Sequence, residues 1–207
     1  MQAAQNIEEL VPNATLGNYT ILEHLADGGM GHVYRAFETA LQREVAIKVL
    51  KMDLAANSHH VAFFEEEAQN IAALRHPNIV PVYYMGRQGK LFYFVMAFIE
   101  GGATLDDWIE AETTINVDQA IHVMDQATDA LDCALQRKII HLDIKPSNFL
   151  VDTHGSILLT DFGLARSLAK SDAEDATREC YGTPAYMSPE QVLREPTDQR
   201  SDIYGLG

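Results

Sequence analysis

Basic side chains are in short supply in this 207-residue chain: 15 Lys and Arg stand against 30 Asp and Glu, a formal net charge of -15. So acidic a balance argues against nucleic acid or an anionic membrane as a main partner, and a polyanionic substrate would need a local basic exception. Cysteine is scarce as well. Cys133 and Cys180 are the only two, neither sits in a metal-ligand spacing, and two unpaired thiols fit a reducing cytosol. Long apolar runs are missing: the longest candidate, Leu91 to Ile99, is strand-sized, well short of the ~18 residues of a spanning helix. The opening MQAAQNIEELVPNA has neither the basic start nor the apolar core of a signal peptide and reads as a soluble lead-in. Internal repeats and low-complexity tracts are absent too. What remains is a globular composition, 47% apolar and 22% charged, sufficient for a sizeable core in one or two units.

From Tyr19 to Met52 the pattern is short, β-rich and punctuated by glycine, which predicts three antiparallel strands. A helix is expected over His59 to Arg75, where Phe64, Glu67, Ala68, Ile71 and Leu74 recur at three- and four-residue steps. That spacing puts Glu67, an acid, on the inward stripe. His76-Pro77-Asn78 breaks the helix, and NIVPVYYMG and KLFYFVMAFI supply two further strands, five in all. Beyond Glu100-Gly101-Gly102 the chain turns helical, around Leu105 to Glu110 and from Val117 to Arg137, with Ile121, Met124, Ala127, Leu131 and Leu135 as the apolar stripe. NFLV and SILLT follow as short strands. A long irregular segment then runs from Asp161 to Glu190, a length that in a compact protein usually signals function.

Three stretches carry chemistry. Leu25-Ala26-Asp27-Gly28-Gly29-Met30-Gly31-His32-Val33 is a glycine-rich turn between two strands, where missing side chains let backbone amides approach phosphate oxygens and Val33 can cover a base. Val-Ala-Ile-Lys follows, ending in Lys48 on an otherwise apolar strand and suited to meeting α- and β-phosphates. A buried lysine requires a partner, and inward Glu67 can provide it. The strongest signal is HLDIKPSN, residues 141 to 148, followed by Asp161-Phe162-Gly163.

Taken in order, HLDIKPSN, DFGLAR and GTPAYMSPE resemble the catalytic loop, magnesium loop and activation-segment end of the protein kinase superfamily, in particular the bacterial eukaryotic-like serine/threonine kinases. The resemblance covers residues 19 to 207. It implies an α+β, two-lobed fold: a lead-in over 1–18, then a five-stranded antiparallel N-lobe with one helix (19–96), a hinge (97–99) and a helical C-lobe (100–207), with ATP in the cleft between lobes. It further implies that Asp143 orients the substrate hydroxyl and takes its proton, that Lys145 neutralises the γ-phosphate, and that Asn148 and Asp161 hold Mg2+. Thr183 bonds to Asp143 and Lys145 in the family. Met96 would guard the deep end of the adenine pocket, and Ala97 and Ile99 of the hinge would bond adenine through their backbone. Val33, Ala46 and Leu150 would sandwich the base, and Ile71, Val82, His141 and Phe162 match the family's apolar spine.

Three departures stand out. Ala26 replaces the first glycine of the phosphate loop. Leu142 stands where many relatives carry an arginine that clamps an activation-segment phosphate, so activity is expected not to depend strictly on phosphorylation, although Ser171 and Thr177 remain acceptors and Asp172, Glu174 and Asp175 add fixed charge. The sequence also stops at SDIYGLG, inside what resembles the start of the family's central helix, which predicts exposed apolar surface at Ile203, Tyr204 and Leu206 and no basic partner for Glu190. The expected activity is γ-phosphoryl transfer from ATP to protein Ser and Thr hydroxyls, in the cytoplasm, autophosphorylation included. Two alternatives share the fold. An ATP-binding scaffold without catalysis would be favoured by loss of Lys48, Asp143 or Asp161, all of which are present, and a small-molecule phosphotransferase normally lacks the GTPAYMSPE segment.

Overall fold

The structure is a computed structural model and describes residues 10–112, 115–162 and 183–207, with the backbone of 166–167. Two compact units emerge: the described residues up to Ala72 with Pro81–Phe98, and residues 73–80 with the described residues from Ile99 onward.

The first unit is built on an antiparallel sheet of order β1-β2-β3-β4-β6-β5. Its strands are β1 (Thr15–Leu16), β2 (Tyr19–Asp27), β3 (Gly31–Glu38), β4 (Arg43–Leu50), β5 (Val82–Gln88) and β6 (Leu91–Ala97). The five expected strands are joined by β1, which belongs to the stretch read as lead-in. Its two residues are too few to carry a periodic signal, and they pair with Tyr19 and Thr20. The two edges of the sheet come together through one side chain: Gln88 on β5 accepts from the Gly17 N–H at 2.7 Å and donates to the Thr15 carbonyl at 3.3 Å.

Strand alternation divides this sheet into two faces. Val45, Ile47 and Val49 of β4 and Leu91, Tyr93 and Val95 of β6 enter one apolar core with Leu16, Ile21 and Ala36. The intervening residues, Ala46 and Lys48 on β4 and Phe94 and Met96 on β6, occupy the other face, against which helix α2 (Ser58–Ala72) lays its buried Phe64 ring 5.1 Å from that of Phe94. The short helix α1 (Met52–Ala55) precedes it.

In the second unit, α3 (Leu105–Glu112), α4 (Val117–Gln136), α5 (Pro189–Leu193) and α6 (Gln199–Leu206) surround two small sheets. One runs β10 (Ile157–Leu159), β9 (Phe149–Val151), β7 (Ala103–Thr104); the other pairs β8 (Ile139–Ile140) with β11 (Arg166–Ser167). The Asn116 side chain caps α4 in a reciprocal box with Gln119. The residues α4 buries are Ala127, Ala130 and Ala134, whereas Ile121 and Met124 of the expected stripe are 54% and 39% exposed. Small residues let the helix approach β8, β10 and α6 closely, with Leu131 and Leu135 of the expected stripe half-buried.

The stretch after α2 also differs from expectation. Asn78 to Val80 join β10 instead of extending β5: Leu159 N–H donates to the Asn78 carbonyl at 2.8 Å and Val80 N–H to the Leu159 carbonyl at 2.9 Å. Pro81 has no N–H to continue a ladder, and β5 starts only at Val82. Among the described residues no helix is long and apolar enough to cross a membrane.

Candidate active site

Register determines which side chains of the first unit share a face. Val33 pairs with Lys48 and Ala26, and Lys48 with Phe94, so Ala26, Val33, Lys48 and Phe94 form one row across four strands. Ala46 pairs with Met96, and Met96 with Val82, in a parallel row one step along. Five of the predicted site residues, Ala26, Val33, Ala46, Lys48 and Met96, therefore share the face of the sheet on which α2 packs. Lys48 and Glu67 meet there, Nζ to Oε1 at 2.6 Å, with 6% and 1% of their side chains exposed. Neither charge could be left alone at that depth, since removing one member of a buried pair typically costs about 3 to 5 kcal/mol.

Between β2 and β3 the turn over Gly28–Gly31 closes with the Gly28 N–H on the Gly31 carbonyl at 2.8 Å. Its glycines serve different ends. A Cβ on Gly31 would lie 2.6 Å from the Val49 carbonyl oxygen, so this residue lets β3 start tight against β4, whereas a Cβ on Gly29 meets nothing within 4 Å. Leu25, Ala26, Asp27 and Gly29 are exposed, and Gly28, Met30 and His32 half-buried. Ala97 ends β6 with its N–H on the Pro81 carbonyl at 3.0 Å, and Ile99 begins the second unit, its carbonyl accepting from Gly102 at 3.1 Å.

In the second unit the segment from His141 to Asn148 leaves β8 as irregular chain and ends in a single 3-10 turn, Pro146–Asn148. Asp143 is its centre. Oδ1 accepts from the Thr183 N–H at 3.1 Å and Thr183 Oγ1 at 3.2 Å, and Oδ2 from Lys145 Nζ at 2.8 Å and Asn148 Nδ2 at 3.1 Å. Lys145 Nζ also donates to Thr183 Oγ1 at 2.7 Å. Burial by itself would raise the Asp143 carboxyl, but the hydrogen bond and charge of Lys145, helped by Asn148 and the Thr183 N–H, hold it below the usual carboxylate range. Asn148 is 3% exposed and spends its amide nitrogen on the carbonyl and carboxylate of Asp143, which turns its amide oxygen away from them.

The Asp161 strand exit is fixed to this loop. Thr160 N–H donates to the Asn148 carbonyl at 2.9 Å and the Thr160 carbonyl contacts His141 Nε2 at 3.0 Å. Since His141 Nδ1 accepts from the Asp143 N–H at 3.3 Å, Nε2 carries the ring proton. The His141 and Phe162 rings lie 4.6 Å apart, bringing two of the four spine residues together. Leu150 is half-buried in β9.

Two residues that sequence reading did not single out hold the loop in place. Asp202, near the start of α6, accepts the N–H groups of His141 at 2.8 Å and Leu142 at 2.7 Å. Gln191, also part of the Ser188 cap of α5, donates to the Leu142 carbonyl at 2.8 Å. Leu142 needs both anchors because its φ of +66° is left-handed, a conformation that costs a residue other than glycine roughly 1 to 2 kcal/mol. Burial raises the Asp202 carboxyl above its ordinary value, against the lowering effect of His141 and the two backbone bonds. A lone acid in SDIYGLG carries no local pattern, and only the pairing across 60 residues gives it a role.

Comparison with known proteins agrees with this geometry. A model of the protein kinase domain matches residues 19–207. The chain belongs to the protein kinase domain family. It is 39% identical over 198 residues to the serine/threonine-protein kinase PrkC of Bacillus subtilis, covering 96% of this chain and 30% of that protein. It is 40% identical over 201 residues to the serine/threonine-protein kinase PknB of Mycobacterium tuberculosis, covering 95% and 32%, and 40% identical over 193 residues to PknB of Mycobacterium leprae, covering 91% and 31%. The chain thus spans about a third of the length of these relatives. Within this kinase domain Glu190 Oε1 accepts from Ser201 Oγ at 2.5 Å. Ile203 and Tyr204 are exposed, as expected, and Leu206 is half-buried. Gly163, Ser171, Asp172, Glu174, Asp175, Thr177 and Cys180 lie outside the described residues.

Proposed function

We propose that this domain transfers the γ-phosphoryl group of ATP to serine and threonine hydroxyls of proteins, its own chain among them. The observation that carries this reading is the Asp143–Lys145–Thr183 cluster. A carboxylate held ionised at neutral pH stands beside an ammonium, and a threonine from a remote segment bonds to both. Phosphoryl transfer needs positioning and charge neutralisation more than covalent chemistry. In this reading Asp143 orients the attacking hydroxyl and accepts its proton, and Lys145 faces the γ-phosphate. Lys48, steered by Glu67, meets the α- and β-phosphates beneath the backbone amides of residues 25–33. Val33, Ala46 and Leu150 flank the adenine, with Met96, Ala97 and Ile99 at its edge.

Asn148 and Asp161 suit Mg2+, a hard cation that prefers oxygen, because an amide oxygen turned away from Asp143 and a carboxylate are the donors they offer. Bound there, the ion would neutralise phosphate charge. The fixed left-handed backbone at Asp161, φ +62°, supports a specific placement of its side chain. Net charge favours protein over nucleic acid as the phosphate acceptor, and the cytoplasm supplies both ATP and reduced thiols. Leu142 contributes only backbone to the site, which supports turnover without a phosphorylated activation segment; Thr177→Ala is expected to keep most of its activity.

The test is Mg2+-dependent phosphorylation of a Ser/Thr peptide and of the protein itself, using the full-length protein. Asp143→Asn should lower turnover by roughly 10³-fold while ATP still binds. Wild-type protein that binds ATP without transferring phosphate would mark a scaffold.

A further inference from the structure

On the face of the β2–β3 hairpin opposite Lys48, three ligand-type side chains converge. His24 Nε2 lies 3.1 Å and His32 Nδ1 2.5 Å from the same atom, Asp27 Oδ1. A spacing of three along a regular strand would put His24 and Asp27 on opposite faces. The register shift between His24 and Ala26 cancels that alternation, as a bulge does. His24 then pairs with Tyr34 and Asp27 with His32, and His32 and Tyr34 share a face of β3. The Tyr34 ring packs edge-on against His24 at 5.3 Å and limits its rotation. Among the described residues, this is the one group of three or more His, Cys, Asp or Glu whose ligand atoms all lie within 4.8 Å of one another.

We propose that His24, Asp27 and His32 form a binding site for a divalent transition-metal ion of the Zn2+ type. Two imidazoles and a carboxylate are a donor set for zinc, nickel or copper, and they disfavour Mg2+. Zinc bonds of about 2 Å to each donor require donor separations of about 3.4 Å in a tetrahedron. Modest side-chain rotation reaches that from the hydrogen-bonded arrangement, and water takes the fourth position. To bind the ion, each neutral imidazole presents the lone pair of the nitrogen that faces Asp27, its one ring proton moving to the other nitrogen. The ion would lock β2 to β3 at the root of the Gly28–Gly31 turn, where the ladder ends. This site is chemically distinct from the oxygen donors Asn148 and Asp161, and occupancy does not depend on phosphotransfer.

Zinc competition against a chromogenic chelator, with the full chain first stripped of metal, tests it. Wild type should take up one tight equivalent, unaffected by millimolar Mg2+. The His24→Gln/His32→Gln variant and, separately, Asp27→Asn should each weaken that equivalent at least tenfold. All three side chains are exposed or half-buried, so the fold should persist, checked by circular dichroism. His59→Gln/His60→Gln, which alters the adjacent histidine pair on α2, should bind like wild type. Undiminished uptake by the His24/His32 variant, displacement by Mg2+, or no uptake by wild type would overturn the site.

Discussion

The two units hold their charged machinery by different means. In the strand-rich unit, Lys48 stands on a hydrogen-bonded ladder, and its direction follows from register: Val33, Ala46, Lys48 and Met96 share a face because their strands pair as they do. In the helical unit, Asp143 sits on irregular chain, held by Thr183 from about 40 residues away and, through its neighbours, by Asp202 and Gln191. A sheet spreads positional control over many equivalent bonds. A loop concentrates it in a few polar contacts, each of which leaves a buried group unsatisfied when lost.

Breaking the Lys48–Glu67 pair has the largest expected effect on stability. Lys48→Met should lower it by about 3 to 5 kcal/mol in urea denaturation, and adding Glu67→Leu should restore most of the loss, because apolar residues of similar volume satisfy the same packing. Failure of the double substitution to recover would mean that the sheet unit, too, depends on specific polar contacts. Asp202→Ala comes next. It strands the buried N–H of His141 and the half-buried N–H of Leu142 and releases Leu142 from a strained conformation, at an expected cost of about 3 kcal/mol. Turnover should fall further than stability, and no apolar second substitution should rescue it. Recovery by a paired apolar change would erase the contrast between ladder and loop.

The smallest effects should separate the units by pH. Asp143 is depressed in the folded protein, so the stability it contributes is present above the ordinary carboxylate range and lost as pH falls through its lowered value. Tyr93 is pushed up to about 12, by burial first and then by Tyr84 and Tyr19, so its contribution is complete below the ordinary value of 10.0 and lost as pH rises through 12. Stability profiles should show Asp143→Asn flattening the acid limb alone and Tyr93→Phe the alkaline limb alone. Asp202, raised by burial, has the opposite slope to Asp143, so Asp202→Asn should remove a loss that develops with rising pH through its raised value.

Sequence alone determined what local periodicity and residue chemistry can specify. Period-two strands set the face of Lys48, helical spacing turned Glu67 inward, and the run from His141 to Asn148 supplied the acid, lysine and amide on which the proposed phosphoryl transfer rests. On α4 the expected stripe is met in part: Ala127 is buried and Leu131 and Leu135 half-buried, while Ile121 and Met124 are exposed. Local pattern gave no warning of β1, two residues long and stabilised by Gln88 at the far edge of the sheet. Tertiary structure alone decided the partners of Leu142, the role of Asp202, the tautomer of His141 and the meeting of His24, Asp27 and His32 across a bulge. Each depends on contacts between residues whose separation follows no local repeat, and such contacts exist only once the apolar faces have been buried.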